Sequence, residues 1–267
     1  MGVSFHDKIL RVNLTDRTTT VESPGPVYFR RYMGGWNVIA DVLLKEVPAG
    51  ADPLGPENKI IFAPGVLTGL PISGAARNAV GAKSPLTGAF GAAEVGAYWG
   101  SHLKRAGFDA IIVEGVADTP VYLWIKDGEV EIRDAGHLWG KPTKETQTAI
   151  REEIGSQRVA VTMIAPGGEN MVRYACVMNG TKDAAGRAGI GAVMGSKRLK
   201  AVAVLGNKNL DAHDNDVLMA LAKKMAQDVN AGERAQSLHK WGTGVGIEGG
   251  LASGNLPVRN FRDGEFE

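Results

Sequence analysis

The chain has 267 residues, 44% of them apolar and 22% charged, and its 30 basic and 29 acidic residues leave a net charge of +1. This composition predicts a globular protein of one or two domains, and the balanced charge excludes a chain-wide positive field that would attract nucleic acid or an anionic membrane. The single cysteine, Cys176, has no intrachain disulfide partner, and no apolar run reaches membrane-spanning or signal-peptide length. We therefore expect a cytoplasmic protein without a nucleic-acid or membrane partner.

The first predicted elements are a hairpin, a helix and a strand. Residues 8–14 and 18–23 flank a Thr-Asp-Arg turn, which predicts an opening hairpin. Apolar residues at helical spacing predict a helix over about 36–47. The apolar run within 58–65, Asn-Lys-Ile-Ile-Phe-Ala-Pro-Gly, predicts a strand.

A second hairpin and a second long helix follow in the middle of the chain. Residues 121–134 form a hairpin pattern, because Asp127 and Gly128 supply the positive φ angles of a tight turn. The next helix is predicted to open at Thr143, as its N-terminal cap, and to close at Gly155.

The last predicted elements are two strands and a helix. Residues 159–168 and 200–206 have the apolar character of strands, and one apolar stripe predicts a helix over 214–229. Beyond Asn230 the sequence is rich in glycine and ends without a closing element. The change in composition predicts a domain boundary near 208–213.

Three pairs of segments recur in the same order, which indicates an internal duplication. The matched pairs are 60–65 with 162–167, 76–79 with 172–175, and 96–104 with 191–199. In each copy the predicted order is helix, strand, arginine-bearing strand, glycine turn, helix and strand. We therefore predict an α+β fold built from two repeats related by a pseudo-two-fold axis.

The 36 glycines of the chain raise the question of what its glycine loops hold. The segment 184–206 surrounds Arg187 with glycine and alanine, and backbone N–H groups before a helix can bind an anion. The dinucleotide fingerprint is not met, since Met194 stands where its last glycine belongs, and Lys197 follows a serine rather than the glycine that a P-loop requires. Glycine serving only tight turns and close helix packing remains an equal alternative at this point.

Arg77 is the strongest single binding candidate from residue chemistry. It lies among small residues, and its five N–H donors suit a phosphate. The five histidines lack metal-ligand spacing, and no nucleophile–base set can be assigned from spacing.

Longer motifs resemble a known family over essentially the whole chain. The segments DPLGPENKIIFAPGVLTG, AKSPLTGAFGAAEVGAYWGSHLKRAGFDAIIVEG, IRDAGHLWGK, AAGRAGIGAVMGSKRLKAVAV and GNLPVRNFRDG are similar to the N-terminal part of tungsten-dependent aldehyde:ferredoxin oxidoreductases. The resemblance implies that the two repeats form two β-sheets with flanking helices. It also implies a duplicated pterin-binding domain over 1–210 and the start of a truncated, mainly helical second domain over 211–267.

The resemblance implies a cofactor of two pterin dithiolenes that share one tungsten, with magnesium bridging their phosphates. Because dithiolene sulfurs hold the tungsten, the metal needs no cysteine from this domain. The backbone carbonyls of Glu94 and Ala184 match the positions that bind magnesium. The matched cofactor-binding positions are Arg77, Glu94, Val95, Gly96, Asp183, Ala184, Gly186 and Arg187.

Two of these positions depart from the family pattern. Asparagine is expected at the position of Glu94, and arginine at the position of Asp183. A carboxylate near phosphates repels them unless it binds magnesium or pairs with Lys182. Backbone contacts survive both changes.

The resemblance implies oxidation of an aldehyde with water to a carboxylic acid, with electrons leaving through a [4Fe–4S] cluster to ferredoxin or an electron-transfer subunit. The cluster ligands and the catalytic residues belong to later domains, so we expect this chain to need the remainder of its polypeptide or a partner chain. A homodimer is left open. The alternatives are a relative that acts on another substrate, such as an aromatic thioester, a stand-alone pterin-binding scaffold subunit, and a nicotinamide-dependent enzyme.

Overall fold

Twelve strands form two six-stranded sheets within residues 4–265, the part of the chain that the computed structural model describes. The strands of the first sheet are β1 (Ile9–Asn13), β2 (Thr18–Glu22), β3 (Ile60–Pro64), β4 (Asn78–Lys83), β5 (Phe90–Val95) and β6 (Ala110–Glu114). The strands of the second sheet are β7 (Val121–Lys126), β8 (Glu129–Asp134), β9 (Ala160–Met163), β10 (Val177–Asn179), β11 (Asp183–Ala185) and β12 (Leu199–Leu205).

The two sheets have the same topology. The strand order is β2-β1-β6-β3-β4-β5 in the first sheet and β8-β7-β12-β9-β10-β11 in the second. Each sheet has one parallel pair, β1 with β6 in the first sheet and β7 with β12 in the second. All the other neighbouring strands are antiparallel. The predicted α+β fold made of two related repeats is therefore confirmed, and the duplication also includes the two hairpins.

Helices lie on the outer faces of the sheets and between them. The α-helices that pack with the two sheets are α1 (Pro26–Tyr32), α2 (Gly35–Glu46), α3 (Trp99–Ala106), α4 (Thr143–Ile154), α5 (Pro166–Glu169) and α6 (Ile190–Ser196). Apolar residues of α1 and α2 share one core with the outer face of the first sheet, and those of α4 share another with the outer face of the second. The central core contains side chains from both sheets together with α3 and α6.

Strand alternation assigns each side chain to one of these cores. Ile60 and Phe62 on β3 belong to the central core, whereas Ile61, between them, belongs to the outer one. Trp99 at the start of α3 ties the two sheets together. Its ring centroid lies 5.5 Å from that of Phe62 in the first sheet, and its Nε1 donates to the carbonyl of Val202 in the second at 2.9 Å.

The predicted hairpins and long helices are confirmed, with one change at a helix cap. Asp127 and Gly128 have φ of 49° and 105°, the turn geometry that joins β7 to β8. Gly155 ends α4 at φ 75° as predicted, but the capping prediction for Thr143 is wrong. Thr143 is the first helical residue, and Pro142 precedes it as a cap without a side-chain hydrogen bond.

The predicted strand at 159–168 is too long, because its end turns into a helix. The strand β9 ends at Met163, and Pro166 then begins α5, where its fixed φ suits the first helical turn. In the first half, Pro64 is the last residue of β3. The two Ala-Pro-Gly segments therefore match in sequence but not in structure.

The prediction that each repeat contains an arginine-bearing strand is also wrong. Arg77 lies directly before β4, and Arg173 lies in a turn four residues before β10. Arg173 lies within a turn that is closed by a backbone hydrogen bond, in which Ala175 donates its N–H to the carbonyl of Val172 at 2.8 Å. Neither arginine takes part in a strand ladder.

The third sequence match is displaced by one helical turn. It aligned 96–104 with 191–199, but the left-handed residues of the two halves correspond 91 positions apart: Ala97 with Ala188, both at φ 64°, and Gly107 (φ 101°) with Arg198 (φ 55°). The glycine spacing of four in each copy allowed the shifted match. Backbone geometry, rather than residue identity, determines the true correspondence.

The chain divides into two compact units, Met1–Asn215 and Asp216–Glu267. The second unit is helical in its described part, with α7 (Asn215–Ala231), which begins at the boundary, α8 (Glu233–Trp241), a 3-10 helix (Gly242–Gly246) and α9 (Ile247–Ala252). The prediction of a helix over 214–229 is confirmed. The helices after it agree with the mainly helical second domain that the family resemblance implies, although residue spacing alone did not predict their positions. None of the helices within residues 4–265 is both long and apolar enough to cross a membrane.

Candidate functional site

Two loops, one from each half, meet at the outer strands of the two sheets. The outer strand β5 ends at Val95 and leads through Gly96 into α3, and the outer strand β11 ends at Ala185 and leads through Gly186 into α6. A Cβ atom built on Gly96 would lie 3.6 Å from Oδ1 of Asp183. The structure therefore brings together the first-half and second-half segments that the sequence singled out. We call residues 94–98 and 183–189 the paired loops.

Each of the paired loops contains an alanine in a left-handed conformation. Ala97 and Ala188 both have φ of 64°, a region that costs a residue with a Cβ about 1–2 kcal/mol. In the second loop Gly189 follows at φ 67°, and a Cβ there would lie 1.9 Å from the carbonyl oxygen of Arg173. The same local strain in both halves shows that the loop shape is imposed by the surrounding fold.

Two buried asparagines connect the halves beneath the paired loops. Asn179 donates through Nδ2 to the carbonyl of Gly96 at 2.9 Å and to Oδ1 of Asn78 at 3.0 Å. Both side chains are buried, and within the described structure Nδ2 of Asn78 and Oδ1 of Asn179 have no partner. The remaining donor and acceptor suit a bound water or a ligand atom.

The sequence analysis missed this asparagine pair. A signal was present, because asparagine is unfavourable within strands and both residues lie in apolar strand segments. Nothing local, however, indicates that two residues 101 positions apart share a hydrogen bond.

The first loop carries an exposed ion pair. Nη1 of Arg77 lies 3.9 Å from Oε2 of Glu94, and the two side chains are 66% and 51% exposed. An exposed pair at this distance contributes little, about 0–1 kcal/mol. Arg77 can therefore exchange Glu94 for an anionic ligand at small cost. Val95 is buried in the central core, so that only its backbone can contact a ligand.

The second loop is exposed and its charges are unpaired. Asp183, Ala184, Gly186 and Arg187 are all solvent-exposed. Among the ion pairs formed within residues 4–265, none involves Asp183, Arg187 or Lys182. Neither Glu94 nor Asp183 therefore pairs with Lys182 in the described residues. Glu94 has Arg77 as its partner instead.

Each of the two arginines borders its own cavity. Arg77 lies at a cavity of about 450 Å³ whose walls include Met33 and Leu67. Arg187 lies at one of about 540 Å³ whose walls include Trp36 and Phe90, with ring centroids 6.5 Å apart. A guanidinium beside apolar and aromatic walls suits a flat heterocycle that carries a phosphate.

The donor set fits a cofactor that brings its own metal ligands. Within the described residues no three or more His, Cys, Asp or Glu side chains are grouped so as to hold a metal ion. The paired loops instead offer exposed backbone and Arg187, Arg77 lies beside the first loop, and each arginine lines a cavity. These features fit phosphates and heterocycles, and they leave a metal to be held by the sulfurs of such a cofactor.

The chain is similar to one protein family in sequence and in structure. Residues 9–206 match the model of the aldehyde ferredoxin oxidoreductase N-terminal domain. A tungsten-containing aldehyde ferredoxin oxidoreductase of Thermococcus kodakarensis is 46% identical over 264 residues, which cover 97% of this chain and 43% of the relative. The WOR-like subunit of an aliphatic sulfonate oxidoreductase of Pyrococcus furiosus is 32% identical, covering 97% of this chain and 44% of that protein.

A solved structure shows the same fold. The active-site complex BamBC of benzoyl coenzyme A reductase, in complex with 1,5-dienoyl-CoA, has a TM-score of 0.83 and 38% identity, covering 86% of this chain and 35% of that one. This chain spans less than half the length of the curated relatives it matches. The duplicated sheets, the paired loops and these similarities together show that the chain belongs to the aldehyde ferredoxin oxidoreductase family.

Proposed function

We propose that this chain is the cofactor platform of a tungsten-bis-pterin oxidoreductase that oxidises aldehydes to carboxylic acids and passes the electrons to ferredoxin. The observation that carries the proposal is the meeting of two like loops, with an arginine and a cavity near each. Arg187 lies in the second loop, and Arg77 lies beside the first loop as the ion-pair partner of Glu94. A cofactor with two like halves matches a platform with two like halves. The names of several relatives include tungsten and ferredoxin.

In this proposal Arg77 and Arg187 bind the phosphates of the two pterins. Glu94, Val95, Gly96, Asp183, Ala184 and Gly186 complete the cofactor-binding set, and the carbonyls of Glu94 and Ala184 bind a bridging magnesium. When bound, the cofactor supplies the two-electron redox chemistry. The chain's own contribution is to hold and orient it, since both loops have backbone shapes fixed by the packing around them.

The remaining parts of the proposed enzyme lie outside this chain. We propose a pterin-binding domain over 1–210 and the beginning of a helical second domain over 211–267. A [4Fe–4S] cluster and the catalytic acid and base would come from further domains or a partner chain. Ferredoxin or an electron-transfer subunit would accept the electrons, in a cytoplasmic protein that can form a homodimer.

The test is to replace Arg77 with alanine and measure cofactor content in protein purified from cells supplied with tungstate. We expect pterin, measured by fluorescence after oxidative release, and tungsten, measured by mass spectrometry, to fall together by about tenfold, because a charged hydrogen bond to phosphate is lost. Arg30→Ala, an exposed arginine on α1, is the control and should keep full occupancy. Unchanged tungsten and pterin in Arg77→Ala would contradict the proposed role.

A second substrate class is favoured by one comparison. The structural neighbour BamBC was solved with 1,5-dienoyl-CoA and is 38% identical to this chain. The alternative is therefore the same platform in an enzyme that reduces an aromatic thioester. Two dye assays separate these activities. An aldehyde oxidoreductase reduces an oxidised dye when aldehyde is added, whereas a thioester reductase oxidises a reduced dye when benzoyl-CoA is added. Cofactor binding without either activity would favour the scaffold subunit.

A further inference from the structure

Two adjoining cavities form a cleft beside α3, and we call it the basic cleft. The cavities have volumes of about 260 and 460 Å³ and share three lining residues, Tyr98, His102 and Arg158. Arg151 lines the first cavity and Arg105 the second. The cleft therefore combines three arginines and a histidine from α3, α4 and the connection between α4 and β9.

No carboxylate neutralises the arginines of the basic cleft. Neither cavity has an Asp or Glu in its lining, and none of the three arginines forms an ion pair within residues 4–265. The nearest acidic influence is indirect: Asn207 accepts from Arg158 at 3.1 Å and itself donates to Asp127 at 3.0 Å. In a chain with a net charge of only +1, Arg158, which is exposed, and the half-buried Arg105 and Arg151 form a local concentration of positive charge that attracts anions.

Most of the arginine donors remain available for a ligand. Arg151 uses Nε to donate to the carbonyl of Val159 at 3.0 Å, and Arg158 uses Nη2 to donate to Asn207. The guanidinium of Arg105 donates no hydrogen bond within the described chain. At least one nitrogen of each guanidinium is therefore free to bind an oxyanion, the ligand that a planar fork of donors suits best.

The electrostatics of His102 agree with this geometry. Burial lowers the pKa of His102, and the positive charges of Arg105 and Arg158 lower it further. His102 thus stays neutral near pH 7 and can donate one hydrogen bond without adding charge. Tyr98, Ser101 and Gln147 add neutral polar groups around the cleft.

We propose that the basic cleft binds the phosphate group of a small phosphorylated metabolite, such as a nucleoside monophosphate. The three arginines hold the phosphate, and the two adjoining cavities hold the remainder. The three arginines of the basic cleft are distinct from Arg77 and Arg187. The cleft adjoins the paired loops, since Tyr98 lines both of its cavities and Ile72 lines both the second cavity and the Arg77 cavity.

The test is calorimetric titration of this chain with inorganic phosphate and with AMP at low ionic strength. We expect saturable 1:1 binding that weakens with salt. Arg158→Gln, which removes the cation shared by both cavities, should reduce the affinity about tenfold or more. Arg105→Gln should also weaken binding, whereas Arg30→Gln should not. Tighter binding of AMP identifies a phosphorylated metabolite, and equal affinities identify free phosphate as the ligand of the same site.

Two results would overturn the proposal. One is the absence of saturable binding by the folded wild-type chain, with folding checked by circular dichroism. The other is binding that survives Arg158→Gln but is lost in Arg77→Gln. That outcome would assign the anion to the cavity at Arg77, so failure of this proposal is distinguishable from failure of the cofactor proposal.

Discussion

The two halves of the first unit share a sheet topology but fill equivalent places with different chemistry. With the correspondence of 91 positions, Lys104 of the first half matches Gly195 of the second, and Ala106 matches Lys197. Lys104 is buried with Asp109 as its ion-pair partner. Lys197 is buried without one, and its Nζ donates to the carbonyl of Gly115 at 3.0 Å.

The duplicated backbone therefore does not require the same buried side chains in both halves. A lysine in the first half can become a glycine in the second when another backbone segment, that of α5, occupies the space. An alanine can become a lysine when a backbone carbonyl is available to accept a hydrogen bond from its Nζ.

The largest effect is expected where the second half has no room for a side chain. A Cβ on Gly195 would lie 1.9 Å from the carbonyl oxygen of Gly168, a backbone atom that cannot move alone. We expect Gly195→Ala to lower the free energy of unfolding by about 3 kcal/mol or more, measured by urea denaturation. Gly50→Ala, where a Cβ meets nothing within 4 Å, is the control. Equal stability of the two variants would show that α5 and α6 are not packed as described.

The next effect is expected at the link between the halves. Asn179→Ala removes the hydrogen bonds to Gly96 and Asn78 and leaves both partners unpaired. We expect a loss of about 2 kcal/mol in the free energy of unfolding. Asn37→Ala, which removes an exposed hydrogen bond to Tyr32, is the matched control and should cost less than about 0.5 kcal/mol. If Asn179→Ala lowers the free energy of unfolding no more than Asn37→Ala does, Asn179 does not link the two halves.

The buried lysine of the second half predicts a pH dependence. Burial lowers the pKa of Lys197 from 10.5 to about 8. The unfolded chain therefore binds more protons between pH 8 and 10.5, and stability from this group rises with pH across that window. The wild type and Lys197→Met share all other titratable groups, so the difference between their free energies of unfolding reports Lys197 alone. This difference should shift in favour of the wild type by about 2 kcal/mol between pH 7 and 10. Parallel stability curves for the two proteins would contradict the lowered pKa.

The smallest effect is expected at the exposed pair of the first loop. Glu94→Gln removes the carboxylate 3.9 Å from Arg77, and both groups are largely exposed. We expect the free energy of unfolding to change by less than about 0.5 kcal/mol. The same substitution should raise the affinity of Arg77 for a phosphate ligand, because a competing anion is gone. A large loss of stability would mean that Glu94 has a structural role.

Much of the local structure could be predicted from the sequence because its causes are local. The Asp127-Gly128 turn, the end of α4 at Gly155 and the apolar stripe of α2 depend on the φ preferences and spacing of neighbouring residues. The duplication was visible too, although its register was wrong by a helical turn. Glycine occurs too often in both copies for residue identity to determine the register.

The candidate site could be predicted only in part, and mainly through family motifs. Arg77 was visible from its own chemistry, but the pairing of the two loops, the Asn78–Asn179 contact and the basic cleft join residues that are tens of positions apart. Such contacts depend on which strand lies at the edge of each sheet and which helix covers it. Local sequence preferences predicted most of the long strands and helices in order, but not the end of β9 or the short helix α5. Only the tertiary structure decided which side chains meet, because burial and proximity arise when the two sheets share one core.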